Sequence, residues 1–146
     1  MDTQIQRIEA YCVKENIRLT SLRRKIIHFL VAQTMPLKAY QLLAKLNREQ
    51  HNKTYFIMSI YRVLGFLCEN NIVHRININN SYILCCNPQQ NMCQIFICKK
   101  CNKVIDTGNQ LVNDALTTVV KQSEFTITQD AIELYGLCQR CLCVAV

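Results

Sequence analysis

The sequence predicts an α+β protein in two parts, a helical and basic front part ending in a β-hairpin, followed by a smaller cysteine-rich α/β part. Three observations carry this expectation. The hydrophobic period changes from helical to alternating just after position 70. Lys and Arg outnumber Asp and Glu 12 to 5 from Met1 to Leu84, yet only match them, 5 to 5, from Cys85 to Val146. Eight of the ten cysteines lie at position 85 or beyond.

The front part contains four helical stretches. Ile5, Ile8 and Cys12, with Ile17 after them, mark one face of the first, and Thr20 is a suitable N-cap for the second. Leu22, Ile26, Ile27, Leu30 and Val31 recur at three and four residues, which leaves Arg23, Arg24 and Lys25 outside. A third helix is expected from Leu37, after Pro36, with Ala39, Leu42, Leu43 and Leu46 inward. Ser59 is expected to open the fourth, whose inward set is Ile60, Val63, Leu64 and Leu67; Ser59, Tyr61, Arg62 and Gly65 then look elsewhere. Residues 72–76 and 81–85 alternate like strands, joined by the turn-prone Asn77-Ile78-Asn79-Asn80. Helices followed by such a hairpin make a winged helix-turn-helix, whose last helix lies in a DNA major groove and whose hairpin is the wing. The polar run 86–91 separates this part from the next. The expected division is therefore a DNA-binding domain over 1–84, a hinge over 85–91 and a second domain over 92–146. That second domain should hold strands near 94–98, 103–106 and 125–134 and a helix near 111–121. It is small for a lone core and needs a metal, a partner chain or both.

Composition narrows the function. Half the residues are hydrophobic, enough for a folded core, yet no apolar run reaches the roughly 18 residues of a membrane span. The polar start lacks the charged and apolar regions of a secretory signal, so a cytoplasmic chain is expected. A basic part joined to a neutral one suits nucleic acid better than a membrane surface. Cytosolic thiols are held reduced, which makes metal binding, not a disulfide framework, the reading of ten cysteines.

Cys98-Lys-Lys-Cys101 and Cys138-Gln-Arg-Cys141 are two Cys-x-x-Cys knuckles. A two-residue spacer lets both thiolates of a knuckle face one ion, and two knuckles complete the closed tetrahedral shell of structural zinc. A redox pair on a thioredoxin-like fold needs a βαβ context that is missing here. A second set is less regular: His74 on the first wing strand, Cys85 and Cys86 at the end of the second, Cys93 after the linker and Asp106 after the first knuckle. Imidazole, thiolates and a carboxylate suit zinc, and the thiolates argue against magnesium, calcium or manganese.

The motifs together resemble one family. Arg18-Leu19-Thr20-Ser21-Leu22-Arg23 resembles the opening Arg-Leu-Thr-x-x-Arg of the ferric-uptake-regulator superfamily, and Ser59-Ile60-Tyr61-Arg62-Val63-Leu64 its reading-helix signature Thr-Val-Tyr-Arg-x-Leu. Ile72-Val73-His74-Arg75, Ser81-Tyr82-Ile83-Leu84-Cys85, Phe96-Ile97-Cys98-x-x-Cys101 and Ile132-Glu133-Leu134-Tyr135-Gly136-Leu137-Cys138-x-x-Cys141 follow in the family's order. The zinc-uptake branch is the nearer one.

The resemblance implies a homodimeric repressor, paired through its C-terminal domains on a palindromic DNA operator, with a Cys₄ structural zinc and a second, sensing zinc at the hinge. The sensing ligands fall on His74, Cys85 and Asp106. The branch's linker histidine is absent, and Cys93 stands in for it, with Cys86 and Cys143 as alternatives. Tyr135 replaces a histidine common in relatives, which favours zinc over iron. On this reading Arg62 takes a guanine edge or phosphate and Tyr61 a thymine methyl or phosphate, while Arg18 and Arg23 hold phosphates. Ser59 and Tyr40 complete the DNA-facing set, and Gln41 stands where the branch often carries an acid. The rivals are a sensor of iron or peroxide, a thiol oxidoreductase or zinc hydrolase, and a zinc-stabilised interaction module. The enzymes lack a general base beside an open metal site.

Overall fold

The computed structural model describes residues 2–49, 54–89, 92–127 and 131–143. It divides into two compact units, Met1–Pro88 and Gln89–Val146.

The first unit runs α1 (Asp2–Lys14), α2 (Ser21–Val31), β1 (Leu37–Lys38), α3 (Ala39–Glu49), α4 (Ile57–Glu69), β2 (Val73–Ile76) and β3 (Ser81–Leu84). Each helix buries one stripe. Ile8 and Cys12 of α1, Ile26, Ile27 and Leu30 of α2, Leu42 and Leu46 of α3, and Ile60, Leu64 and Leu67 of α4 share one core with Val73, Tyr82 and Leu84. Thr20 caps α2 by accepting from the Arg23 N–H. β3 is the middle strand of an antiparallel sheet in the order β1-β3-β2.

Two boundaries differ from the expectation. Leu37 and Lys38 are a short strand, because Leu37 pairs with Tyr82 and Lys38 with Ser81; α3 starts only at Ala39. Gln41 then acts locally, its Oε1 accepting from the Lys38 N–H at 2.7 Å as in half of a capping box. α4 starts at Ile57, two residues before Ser59; the N-cap is Phe56, without a side-chain cap, and its carbonyl accepts from the Ser59 N–H at 2.9 Å.

With three glycines in the whole chain, asparagine takes over the left-handed turn that ends a helix. Asn16 at φ 55° closes α1, with Ile17 N–H donating to the Cys12 carbonyl at 2.8 Å. Asn71 at φ 56° closes α4 in the same way, Ile72 N–H reaching the Leu67 carbonyl at 2.9 Å. That turn feeds the chain directly into β2.

The second unit runs β4 (Cys93–Cys98), β5 (Val104–Thr107), α5 (Gln110–Gln122), β6 (Ala131–Gly136) and α6 (Gln139–Cys143). β4 is central, antiparallel to β5 and parallel to β6. The strand expected from Phe125 begins instead at Ala131. Glu124 at φ 51° and the Phe125 N–H, bonded to the Val120 carbonyl, still belong to the end of α5. The intervening positions 128–130 of that expected strand lie outside the described residues.

A satisfied polar chain pins α5 to β4. Asn109 caps α5 and donates its N–H to Gln94 Oε1 at 2.7 Å, Gln94 Nε2 donates to Asn113 Oδ1 at 2.7 Å, and Asn113 Nδ2 donates to the Met92 carbonyl at 2.9 Å. Gln94 and Asn113 are both buried, so the bond between them and that to the Met92 carbonyl are shielded from water. Among the described residues of this unit the buried apolar side chains are Met92, Ile95 and Ile97 and the cysteines 93, 98 and 141. Phe96, Ile105 and Leu134, aligned across the three strands, stay exposed, as do Leu111, Val119 and Phe125.

Candidate metal centres and nucleic-acid interface

The parallel pairing of β4 with β6 explains how knuckles 37 residues apart meet. Its register sets Cys98 beside Gly136, so both strands end at the same level and both knuckles leave from there. In the first, Asn102 at φ 57° turns the chain, its N–H donating to the Cys98 carbonyl at 2.9 Å while Cys98 N–H donates to the Lys103 carbonyl at 2.9 Å. In the second, Cys138 opens α6, its carbonyl accepting from the Cys141 and Leu142 N–H groups. The Lys99 N–H donates to the Gly136 carbonyl at 2.9 Å and ties the two knuckles together.

The four sulfurs all lie within 4.8 Å of one another, and Cys101 Sγ to Cys138 Sγ is 3.7 Å. Four sulfurs at about 2.3 Å from a tetrahedral ion stand roughly 3.8 Å apart, so this cluster has the size of a zinc shell. Its electrostatics fit as well. The Cys138 backbone N–H, 3.4 Å from Cys98 Sγ, with those of Cys101 and Lys100, holds the Cys98 thiol down at about 6, in the thiolate form at neutral pH. The Cys141 backbone N–H lowers Cys138 likewise. Burial, followed by the neighbouring sulfurs, pushes Cys141 up to about 12. Without a cation the cluster cannot ionise fully. Zinc supplies the missing positive charge, and the residues present fit it.

The second set divides evenly. In the first unit His74 lies opposite Ile83 in the β2–β3 ladder, so Cys85, two residues further on, is its diagonal neighbour on the same face; the two ligand atoms lie within 4.8 Å. In the second unit Asp106 lies opposite Ile95, which makes Cys93 its diagonal neighbour, and these ligand atoms also lie within 4.8 Å. His74, Cys85 and Cys93 are buried and Asp106 is half-buried. Cys86 is half-buried and Cys143 exposed, and neither belongs to these pairs or to the four-cysteine cluster.

The residues expected from the sequence to face DNA belong to the first unit. On α4, Tyr61 and Arg62 are exposed and Ser59 half-buried; Tyr40 is exposed on the first turn of α3, and Arg18 is exposed ahead of α2. Arg23 is differently placed. Its Nη1 donates to the Arg18 carbonyl at 2.6 Å and its guanidinium lies 3.2 Å from the centroid of Phe66, bracing α2 against α4. Asn47 was not singled out from the sequence. It holds both backbone groups of Tyr55 just ahead of α4, Tyr55 N–H donating to its Oδ1 at 2.7 Å and its Nδ2 donating to the Tyr55 carbonyl at 3.1 Å. Met58, one residue ahead of the helix start expected at Ser59, also lies on α4 and is exposed.

This combination of a winged helix and a cysteine-clasped α/β unit has known counterparts. The zinc uptake regulation protein of Escherichia coli (strain K12) is 30% identical over 136 residues, covering 92% of this chain and 78% of that protein. The solved structure of a zinc uptake regulator complexed with zinc and DNA superposes with a TM-score of 0.81 at 29% identity, covering 99% of this chain and 96% of that one. The crystal structure of holo XcZur gives 0.79 at 26% identity over the full length of both chains. The ferric uptake regulator family pattern itself matches residues 14–135, from the last turn of α1 to the strand that delivers the second knuckle. The chain therefore belongs to the ferric uptake regulator family.

Proposed function

We propose that this chain is a zinc-responsive, DNA-binding transcriptional repressor of zinc-uptake or zinc-homeostasis genes, working in the cytoplasm as a homodimer on a palindromic operator. The observation that carries the reading is the even division of donors, with His74 and Cys85 paired in the first unit and Cys93 and Asp106 paired in the second. Neither pair completes a tetrahedral shell alone, and a zinc held by all four ties the DNA-reading unit to the pairing unit. Metal favours the DNA-competent arrangement only by as much as it binds that arrangement more tightly.

The chain's own residues divide the remaining work. Cys98, Cys101, Cys138 and Cys141 hold a structural zinc that clasps the second unit. The exposed Phe96, Ile105 and Leu134, with Leu111 and Val119 of α5, suit pairing with a second copy better than water. Arg62 and Tyr61 face bases, while Arg18 and Lys25 of α2 contact phosphates and make binding salt-dependent. Two thiolates in the second set favour zinc over iron or a peroxide-sensing iron site. The family relationship supports a regulator without catalytic activity.

Metal content and DNA binding measured on the same samples, before and after mild chelation, test this function. Two zincs per chain are expected, of which chelation removes one and abolishes specific DNA binding while the dimer persists. Full DNA binding after loss of the second zinc overturns the sensing role.

A further inference from the structure

We propose that Met58 reads thymine methyl groups in the major groove, so that each operator half-site carries a thymine where the first turn of α4 enters; this rests on the DNA-reading function above. At 100° per residue, Met58, Tyr61, Arg62, Gly65 and Glu69 fall on one stripe of α4, opposite the buried Ile60, Leu64 and Leu67. Met58 is 61% exposed and Tyr61 41%.

The stripe is polarised along its length. Its far end carries Glu69, which phosphates repel. Its middle is Gly65, where an added Cβ meets no atom within 4 Å, so nothing in the fold asks for a glycine, a poor helix former. Bare backbone at that turn lets a sugar–phosphate ridge approach closely. The groups that project are therefore Met58, Tyr61 and Arg62, in the first two turns. No acid stands in the first turn, and the positive end of the helix dipole points the same way. Reading helices contact base edges with these N-terminal residues.

Chemistry then selects the base. Met58 offers an unbranched, polarisable thioether with no hydrogen-bond donor. Only one apolar group lies on the major-groove edges of the base pairs, the C5-methyl of thymine. Arg62 beside it supplies the polar contact, so neighbouring residues read different bases.

Zinc-loaded wild-type protein and Met58→Ala each select from a random duplex library, and the wild-type winners are remade with deoxyuridine replacing single thymines, which deletes only the methyl. One thymine per half-site should be enriched by wild type and lost from the Met58→Ala selection, with the other positions retained. Deoxyuridine there should weaken wild type about fourfold per half-site, the equivalent of one buried methyl, and leave Met58→Ala unchanged. Since Met58 is exposed, the variant should melt with wild type. An unchanged consensus, or an equal deoxyuridine penalty in both proteins, overturns the role of Met58 while DNA reading stands. A wild-type protein that enriches no sequence overturns the DNA-reading function, and this inference with it.

Discussion

Replacing Cys98 with serine removes one of four zinc ligands while keeping the backbone bonds that shape its knuckle, those to Lys103 and from Asn102. The size of the effect follows from how little else holds the second unit. Met92, Ile95 and Ile97 are its buried apolar side chains other than cysteine among the described residues, and burial of each is worth about 1.5–3 kcal/mol. A structural zinc contributes on the order of 10–16 kcal/mol of folding free energy. The metal thus outweighs the apolar core, and Cys98→Ser should leave a second unit that does not hold its fold at 25 °C. Zinc per chain by elemental analysis, melting by circular dichroism and mass by sedimentation give the readout. The expected result is loss of the tightly held zinc with aggregated or monomeric protein. Cys143→Ser, at an exposed sulfur outside the cluster, should match wild type in all three. A stable Cys98→Ser dimer with undiminished zinc would refute the Cys₄ assignment. Acid should imitate the substitution. The Cys98 thiol is held at about 6, below the ordinary thiol value of 9.0, so its contribution is full above that ordinary value and is lost progressively as pH falls to about 6. Zinc release from the wild-type protein should therefore accelerate as pH drops from about 7 to 5.

Cys85→Ala should leave a folded dimer with its Cys₄ zinc but without a response to added zinc, read by DNA binding across a zinc titration; a normal response would remove Cys85 from the sensing set. Cys93→Ala gives the same expectation, and if it behaves like wild type while Cys86→Ala loses the response, the third ligand has been assigned to the wrong thiol. Asn113→Ala breaks the buried bonds from Gln94 Nε2 and to the Met92 carbonyl, at a cost of about 2–4 kcal/mol in urea melts. A loss under about 0.5 kcal/mol would mean that water replaces the amide, since surface substitutions cost no more than that.

Much of this was legible because the signals are local. The inward faces of α2 and α4 follow from three- and four-residue spacing, Thr20 announces the start of α2, and the knuckles announce a metal by residue type and spacing alone. What escaped was decided by distant partners. Pro36-Leu37 reads as a helix start, yet Leu37 is claimed by Tyr82 forty-five positions later, and the helix waits for Ala39. Ser59 reads as an N-cap because serine usually is one. Here the buried Tyr55, gripped by Asn47, fixes the chain earlier, and α4 begins under Phe56 without side-chain help. A helix opened at Ser59 leaves Met58 outside it. Arg23 shows the same limit in another form: a basic residue on a helix facing a polyanion invites a phosphate, but its guanidinium is engaged by the Arg18 carbonyl and the face of Phe66.

The donor sets show where sequence reasoning stops and geometry takes over. Within a knuckle, two residues of spacer suffice to predict a shared ion, but the sequence contains nothing that sets Cys98 level with Gly136; that is a property of the parallel β4–β6 ladder, formed only after the chain has passed through β5 and α5. The second set depends on ladders even more. His74 and Cys85 are eleven residues apart, and Cys93 and Asp106 thirteen; each pair becomes a pair only because antiparallel register makes its members diagonal neighbours on one face. A one-residue slip in either hairpin would turn one donor of the pair to the opposite face. The hydrophobic pattern that fixes register, Val73 and Leu84 toward the core of the first unit and Ile95 among the buried residues of the second, is thus also what keeps the donors together. Folding each hairpin correctly is therefore a precondition for sensing, and substitutions at Val73 or Ile95 should impair the metal response without touching a ligand.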